Sequence, residues 1–222
     1  MRVNYPALLM GAALFLGLGS LASGGVITTG GQFLLPPFST GSLGPLGANP
    51  SPNNDNSAAQ SPNTIGYTNI FFNSPGFIEV EFAVAASGGV TEYFINQAFF
   101  NNSGLVWTGF VFELGYGTGA GFVRAGDGML DFDLPDADPA PSSGAFTSLN
   151  HQGQVITWSG GTVPSIGPSP FTLSIDVPDG IGAFTLRQTP ITAAAIPEPG
   201  SAALVLSAAG VFAFVLKKRA RL

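Results

Sequence analysis

Gly76-Phe77-Ile78-Glu79-Val80-Glu81-Phe82-Ala83-Val84 is the stretch on which the fold turns. Ile78, Val80, Phe82 and Val84 recur at every second position, and Glu79 and Glu81 fill the gaps. Successive side chains of an extended strand point to opposite faces, so this spacing predicts a strand with one apolar and one polar face. Ser87-Gly88-Gly89 supplies a tight turn, and the alternation resumes over Val90 to Phe100, with Tyr93, Ile95 and Phe99 on one side. Asn101-Asn102-Ser103-Gly104 reads as the next turn, and Val106 to Tyr116 puts Phe110, Phe112 and Leu114 on one face. Ile65–Phe72, Gln154–Trp158, Phe171–Val177 and Phe184–Gln188 carry the same signature. No amphipathic helix of useful length lies between the termini.

Seven or more short strands separated by Gly, Asn and Pro turns predict an all-β domain, an antiparallel β-sandwich of Ig-like or jelly-roll type. The chain has 222 residues, 19 of them phenylalanine, and no cysteine. Aromatic burial therefore supplies what disulfides supply in many small exported domains. Zero cysteine also excludes a CxxC redox site and a thiolate metal cage. With 7 basic against 13 acidic residues, nucleic-acid binding through phosphate neutralisation is excluded as well.

Outward from the sandwich, the two ends have a different character. Met1-Arg2 precedes an uncharged apolar run from Ala7 to Leu18, and Ser20-Leu21-Ala22 then places small residues before the bond to Ser23. That layout predicts a secretory signal peptide over residues 1–22, cleaved between Ala22 and Ser23. A helix of roughly 20 Å falls short of the ~30 Å hydrocarbon core, which argues against a stable span there. Residues 23–63 are rich in Gly, Pro, Ser and Asn and read as an extended lead-in, with Phe33, Leu34, Leu35 and Phe38 placed to dock one early strand. The sandwich is expected over residues 64–190, and a distinct terminal module over 191–222.

That module opens with Ile196-Pro197-Glu198-Pro199-Gly200, continues with an uncharged run over 201–216, and ends with Lys217-Lys218-Arg219-Ala220-Arg221-Leu222. Four of the chain's seven basic residues lie in these last six positions. Sixteen residues make a helix of roughly 24 Å, which snorkelling lysines and arginines can extend to a single transmembrane helix. The basic cluster places the tail in the cytoplasm and the body outside.

The Pro-Glu-Pro element, the single short hydrophobic helix and the basic terminus, in that order, resemble a PEP-CTERM sorting signal. That signal belongs to Gram-negative bacteria that make extracellular polysaccharide. The resemblance covers about the last 27 residues, Ile196 to Leu222. It implies that an exosortase-type processing enzyme recognises Pro197, Glu198 and Pro199, after the secretion translocon and signal peptidase have acted at the other end. The helix is then a transient inner-membrane anchor. The Leu-Pro-x-Thr-Gly pattern of the Gram-positive sortase pathway is absent. Asn101 to Phe110 also loosely resembles a stretch of other PEP-CTERM proteins, with no activity attached, and Trp107 reads there as a core or edge aromatic.

Between the termini the charge is about −10, with Arg124 and Arg187 the two basic residues and no lysine. Such a body stays soluble by mild self-repulsion and is unsuited to anionic polymers unless divalent cations bridge. Asp127, Asp131, Asp133, Asp136 and Asp138 fall within twelve positions. That density of hard oxygen ligands suits a weak extracellular calcium site, although EF-hand spacing is absent; it equally suits solvated aspartates entering a proline turn. His151 is the single histidine, in what reads as a turn, Asn150-His151-Gln152-Gly153, with no Gly-x-Ser-x-Gly elbow beside it. Glu79, Glu81, Glu92 and Glu113 lie on strands, where paired carboxylates can serve glycoside hydrolysis or simply form a wetted face. Exposed Tyr67, Tyr93, Tyr116 and Trp158 would offer stacking faces for sugar rings. Gly115 to Gly121 has GxGxG spacing with no following helix to receive phosphate, and reads as a flexible loop. The sequence thus leads to an exported, non-enzymatic β-sandwich of the cell surface or exopolysaccharide matrix. A carbohydrate- or calcium-binding module is the alternative, and a hydrolase comes third.

Overall fold

The computed structural model describes residues 25–28, 32–34, 40–43, 63–126, 130–133 and 139–193. The strands, in chain order, are β1 Gly25–Ile27, β2 Gln32–Leu34, β3 Thr40–Leu43, β4 Thr64–Phe72, β5 Ile78–Ala86, β6 Val90–Asn101 and β7 Trp107–Tyr116. They continue with β8 Val123–Arg124, β9 Ser142–Ser143, β10 Phe146–Gln152, β11 Val155–Gly161, β12 Gly167–Pro178 and β13 Ala183–Thr192. One 3-10 turn, Gly119–Gly121, separates β7 from β8, and no α-helix occurs among the described residues.

Two sheets result. The larger runs β1-β5-β13-β7-β11-β10, with β2 also on β5 and β8 also on β7; the smaller runs β3-β4-β6-β12-β9. The pairing is antiparallel except between β4 and β6, which run parallel. The apolar faces read from the sequence are the faces the sheets turn toward each other. Phe72, Phe99 and Phe171 of the smaller sheet meet Trp107, Phe110 and Phe112 of the larger. Ring centroids are 5.0 Å apart for Phe99–Phe110 and Phe110–Phe171, and 5.2 Å for Phe72–Trp107. Offset and edge-on aromatic pairs at these distances add to plain area burial. The arrangement is all-β and sandwich-like.

Local chemistry explains several departures from strict alternation. In β4 the buried residues change from Ile65 and Tyr67 to Ile70 and Phe72 because the register with β6 shifts between Tyr67 and Ile70. Such a bulge moves the core side chains from odd to even positions. β12 extends well before Phe171 and contains Pro168, Pro170 and Pro178. The Asp176 N–H donates to the carbonyl of Asp131, on the side away from β6, so even-numbered positions of β12 aim their nitrogens away from the main ladder. Proline is tolerated there because no donor to β6 is lost.

The lead-in contributes more than one strand. β1 and β2 lie in succession along the same edge of β5, and the Ile27 N–H donates to the Tyr93 hydroxyl at 3.0 Å. Gly25 is required by close approach: a Cβ there would lie 2.4 Å from the Pro178 carbonyl oxygen and 2.6 Å from Val84. At the tip between β11 and β12, Ile166 has φ +67° and is 86% exposed. A β-branched residue in the left-handed region is strained, because its Cβ crowds the following carbonyl.

The apolar termini, with Ala22, Ser23, Pro197, Glu198 and Pro199, lie outside the described residues. No helix among those residues is long and apolar enough to cross a membrane.

Candidate functional site

The most elaborated polar constellation lies on the outer face of the larger sheet. Register places Arg187 of β13 directly between Glu79 of β5 and Glu113 of β7, and Arg124 of β8 beside Gly115. Both arginines of the body are therefore committed to one row of alternating charge. Arg124 pairs with Glu113 through Nε at 3.2 Å and through a short contact from Nη2. That pair is open to water, with the Arg124 side chain 55% exposed.

The Arg187–Glu79 pair is of a different kind. Arg187 Nε and Nη2 donate to Glu79 Oε1 at 2.8 and 2.5 Å, and Nη2 also donates to the Gly119 carbonyl at 2.7 Å. The Gly119 N–H closes the ring by donating to Glu79 Oε2 at 2.7 Å. The guanidinium carbon sits 4.4 Å from the Phe77 ring centroid and 3.9 Å from that of Phe122. Cation–π attraction and charge-assisted hydrogen bonds thus act on the same group. Glu79 retains only 1% of its side-chain exposure.

The polar face expected for Glu79 is thus corrected. The residue does point outward from the sheet, but the segment after β7 folds back over it. Gly115 makes this possible: a Cβ there would lie 2.4 Å from the Val123 carbonyl and 2.6 Å from the Phe122 ring. Gly117 and Gly119 take positive φ values of 70° and 56° to turn the chain. The glycine-rich stretch read as a flexible loop is a cover held to Glu79 and Arg187 by hydrogen bonds. Burial of a carboxylate here is offset by its fork of donors, and the arrangement works as a clamp between β5, β13 and the cover.

The other carboxylates are dispersed. Glu113 is held by Arg124, and Glu92 is fully buried on the smaller sheet, opposite Asp176. Asp131 bridges to Asp176 across the next position, and Asp133 is buried with φ +42°. No group of three or more His, Asp or Glu side chains able to hold a metal occurs among the described residues. Asp127, Asp136 and Asp138 lie outside them.

The sugar-stacking strip is corrected too. Tyr67, Tyr93 and Trp158 are 5%, 2% and 5% exposed and belong to the core, leaving Tyr116 at the surface. Burial raises the Tyr67 hydroxyl pKa well above its ordinary value; it raises Tyr93 as well, partly opposed by the Ile27 hydrogen bond.

His151 lies on β10 rather than in the turn, which is Gly153-Gln154, closed by the Gln152–Val155 pair. Its ring stands edge-on to Phe132 at 6.3 Å. Burial lowers its pKa, and a hydrogen bond with the Phe132 backbone acts the other way. Nε2 is buried with no partner among the described residues. A histidine depressed in the folded state takes up its proton first in the unfolded chain. Its neutral-state stability is complete above the unfolded pKa of about 6.5 and is lost as pH falls below it. His151→Leu is expected to flatten the fall in urea midpoint between about pH 6.5 and 5, measured against the unsubstituted chain.

Asn101, read as the start of a turn, is the fully buried last residue of β6. Its Nδ2 donates to the carbonyls of Leu105, Val163 and Pro164 at 2.7, 3.2 and 3.1 Å. Its Oδ1 accepts from the Ser103 N–H and hydroxyl at 3.1 and 2.7 Å. One side chain thus ties the β6–β7 loop to the β11–β12 loop, and Trp107 packs in the core beneath them. Asn101→Ala leaves several buried backbone groups unsatisfied and is expected to cost about 2–4 kcal/mol, read from urea denaturation.

Comparison with protein families, curated proteins and solved structures returns no match to this chain.

Proposed function

We propose that this chain is an exported protein of the cell surface or exopolysaccharide matrix, sorted through a C-terminal PEP-CTERM signal, with a non-enzymatic sandwich as its mature body. The observation that carries the reading is the ordered composite at the C-terminus: Pro197-Glu198-Pro199, the uncharged run from Ser201 to Leu216, and the basic cluster from Lys217 to Arg221. The signal-peptide layout before Ser23 is consistent with it. Two prolines fix φ and keep the recognition segment extended, and Glu198 gives it one charge just outside the bilayer. An exosortase-type enzyme is the partner for that segment, and the tail is a temporary inner-membrane anchor.

The body suits such a destination. It carries no lysine, and both of its arginines are engaged by glutamates on one sheet face. Within the run of long strands the chain passes from one sheet to the other at β4–β5, β5–β6, β6–β7, β11–β12 and β12–β13, and the short strands add crossings at β2–β3, β8–β9 and β9–β10, which supports a jelly-roll path over an immunoglobulin-like one. The clamp at Glu79 presents filled valences rather than an open carboxylate, as expected of a structural element.

Replacing Pro197, Glu198 and Pro199 together by alanine is expected to leave export intact and to stop tail processing. Mass spectrometry of the membrane fraction reads the result as retention of the terminal basic peptide. Tail removal at the unsubstituted rate would contradict the sorting assignment.

A further inference from the structure

We infer that one end of the sandwich, formed by the β4–β5, β6–β7 and β11–β12 loops and the end of β13, is a docking face for the lipid bilayer. This rests on the reading of residues 201–216 as a membrane anchor and adds which face of the body the membrane meets. The loops are joined physically. Asn101 ties the β6–β7 loop to Val163 and Pro164, and the Ile166 N–H donates to the Asn101 carbonyl. Asn102 donates to the carbonyl of Phe72 and to Asn73. The Ala193 N–H donates to the Val106 carbonyl, so the chain leaves the described body at this same end.

Three properties single the end out. No charged residue occurs in 71–76, 101–109, 161–170 or 189–193, although the body carries about −10 overall. Asp131, Asp133, Asp176 and Asp179 lie toward the other end, beside the termini of β12 and β13. Large apolar side chains project here: Ile166 at 86% exposure, Val106 at 43% and Ile191 at 40%. Ile166 holds its exposed position in a strained left-handed conformation, where glycine or asparagine would sit without strain.

Chain length supplies the occupant. Seven residues, 194–200, separate Ala193 from the apolar run, a reach of roughly 25 Å at full extension. The longest strands have 12 residues, about 40 Å, so the tether is shorter than the sandwich is long. An acidic body held this close to anionic headgroups turns its charged end away, and the neutral end with its isoleucines and valine enters the interface.

The absence of cysteine gives a direct test on the full chain. Ile166→Cys, Val106→Cys and, at the opposite end, Gln152→Cys are labelled with an environment-sensitive fluorophore. The chain is reconstituted into vesicles of equal parts phosphatidylcholine and phosphatidylglycerol. Headgroup-borne quencher is expected to reduce emission about twofold or more at 166 and 106, with little effect at 152, and iodide is expected to do the reverse. Vesicle-bound chain whose labels at 166 and 106 are as open to iodide as that at 152 overturns the docking face and leaves the anchor standing. Labels shielded from both quenchers point to a second copy on this face and also overturn it. A full chain that does not enter vesicles contradicts the anchor reading, and the docking face with it.

Discussion

Replacing Arg187 by leucine is expected to lower the unfolding free energy by about 3–5 kcal/mol, because it strands a buried carboxylate. Glu79 is almost wholly shut off from water, and its second oxygen is already occupied by the Gly119 N–H. The lost guanidinium also releases Phe77, Phe122 and the Gly119 carbonyl, so the cover over β5 should detach. For a domain stable by roughly 5–15 kcal/mol this is a large part of the total. The Glu79→Leu/Arg187→Leu double variant should recover much of the loss, since a well-packed apolar pair avoids the stranded charge. Arg124→Leu is the control. It removes the same residue type from the same row, but at an exposed pair worth at most about 1 kcal/mol. Trp107 and Trp158 are buried, so tryptophan fluorescence in urea reads all three variants. Equal costs for Arg187→Leu and Arg124→Leu would contradict the clamp.

Phe110→Ala is expected to cost about 3–5 kcal/mol as well, for a different reason. Phe110 is fully buried on β7, and its ring lies within 5.9 Å of the rings of Phe72, Phe99, Trp107, Phe112 and Phe171. Those neighbours come from both sheets, so the cavity would open at the junction that holds the layers together. The surrounding rings are planar and interlocked and can collapse only partly into the space. Phe77→Ala, at a residue that is 37% exposed, should cost markedly less. The same urea midpoints check the pair, and a similar small shift for both would mean that the two sheets are not joined through this aromatic layer.

The sheets were readable from the sequence where strands bury one face completely. β5, β6, β7, β12 and β13 show period two because Phe82, Ile95, Phe112, Leu173 and Leu186 face the opposing layer. β10 gave no such signal. Thr147, Ser148, Leu149 and Asn150 sit at an exposed edge, so nothing constrains their alternation. Strand parity could have placed Tyr67 with Ile65 and Trp158 with Ile156 in the core, where the structure has them. The clamp was beyond local reading. Arg187 and Glu79 are 108 residues apart, and their meeting depends on sheet register and on a cover that returns over the face. Two faint signals did exist: a body with just two arginines, and a run of glycines leading to Phe122. The role of Asn101 is hidden from local reading because Asn-Asn-Ser-Gly is turn chemistry by composition, whereas its first residue closes a strand and serves two loops.

Residue-resolved mass spectrometry of both ends of the protein, taken from separated cell fractions, tests the proposed sorting most directly. The expected result is an N-terminus at Ser23 and material found outside the cytoplasm, with the residues after Pro197-Glu198-Pro199 removed from the mature form. Full-length chain in the cytosol, with Met1 and Leu222 both in place, would contradict it.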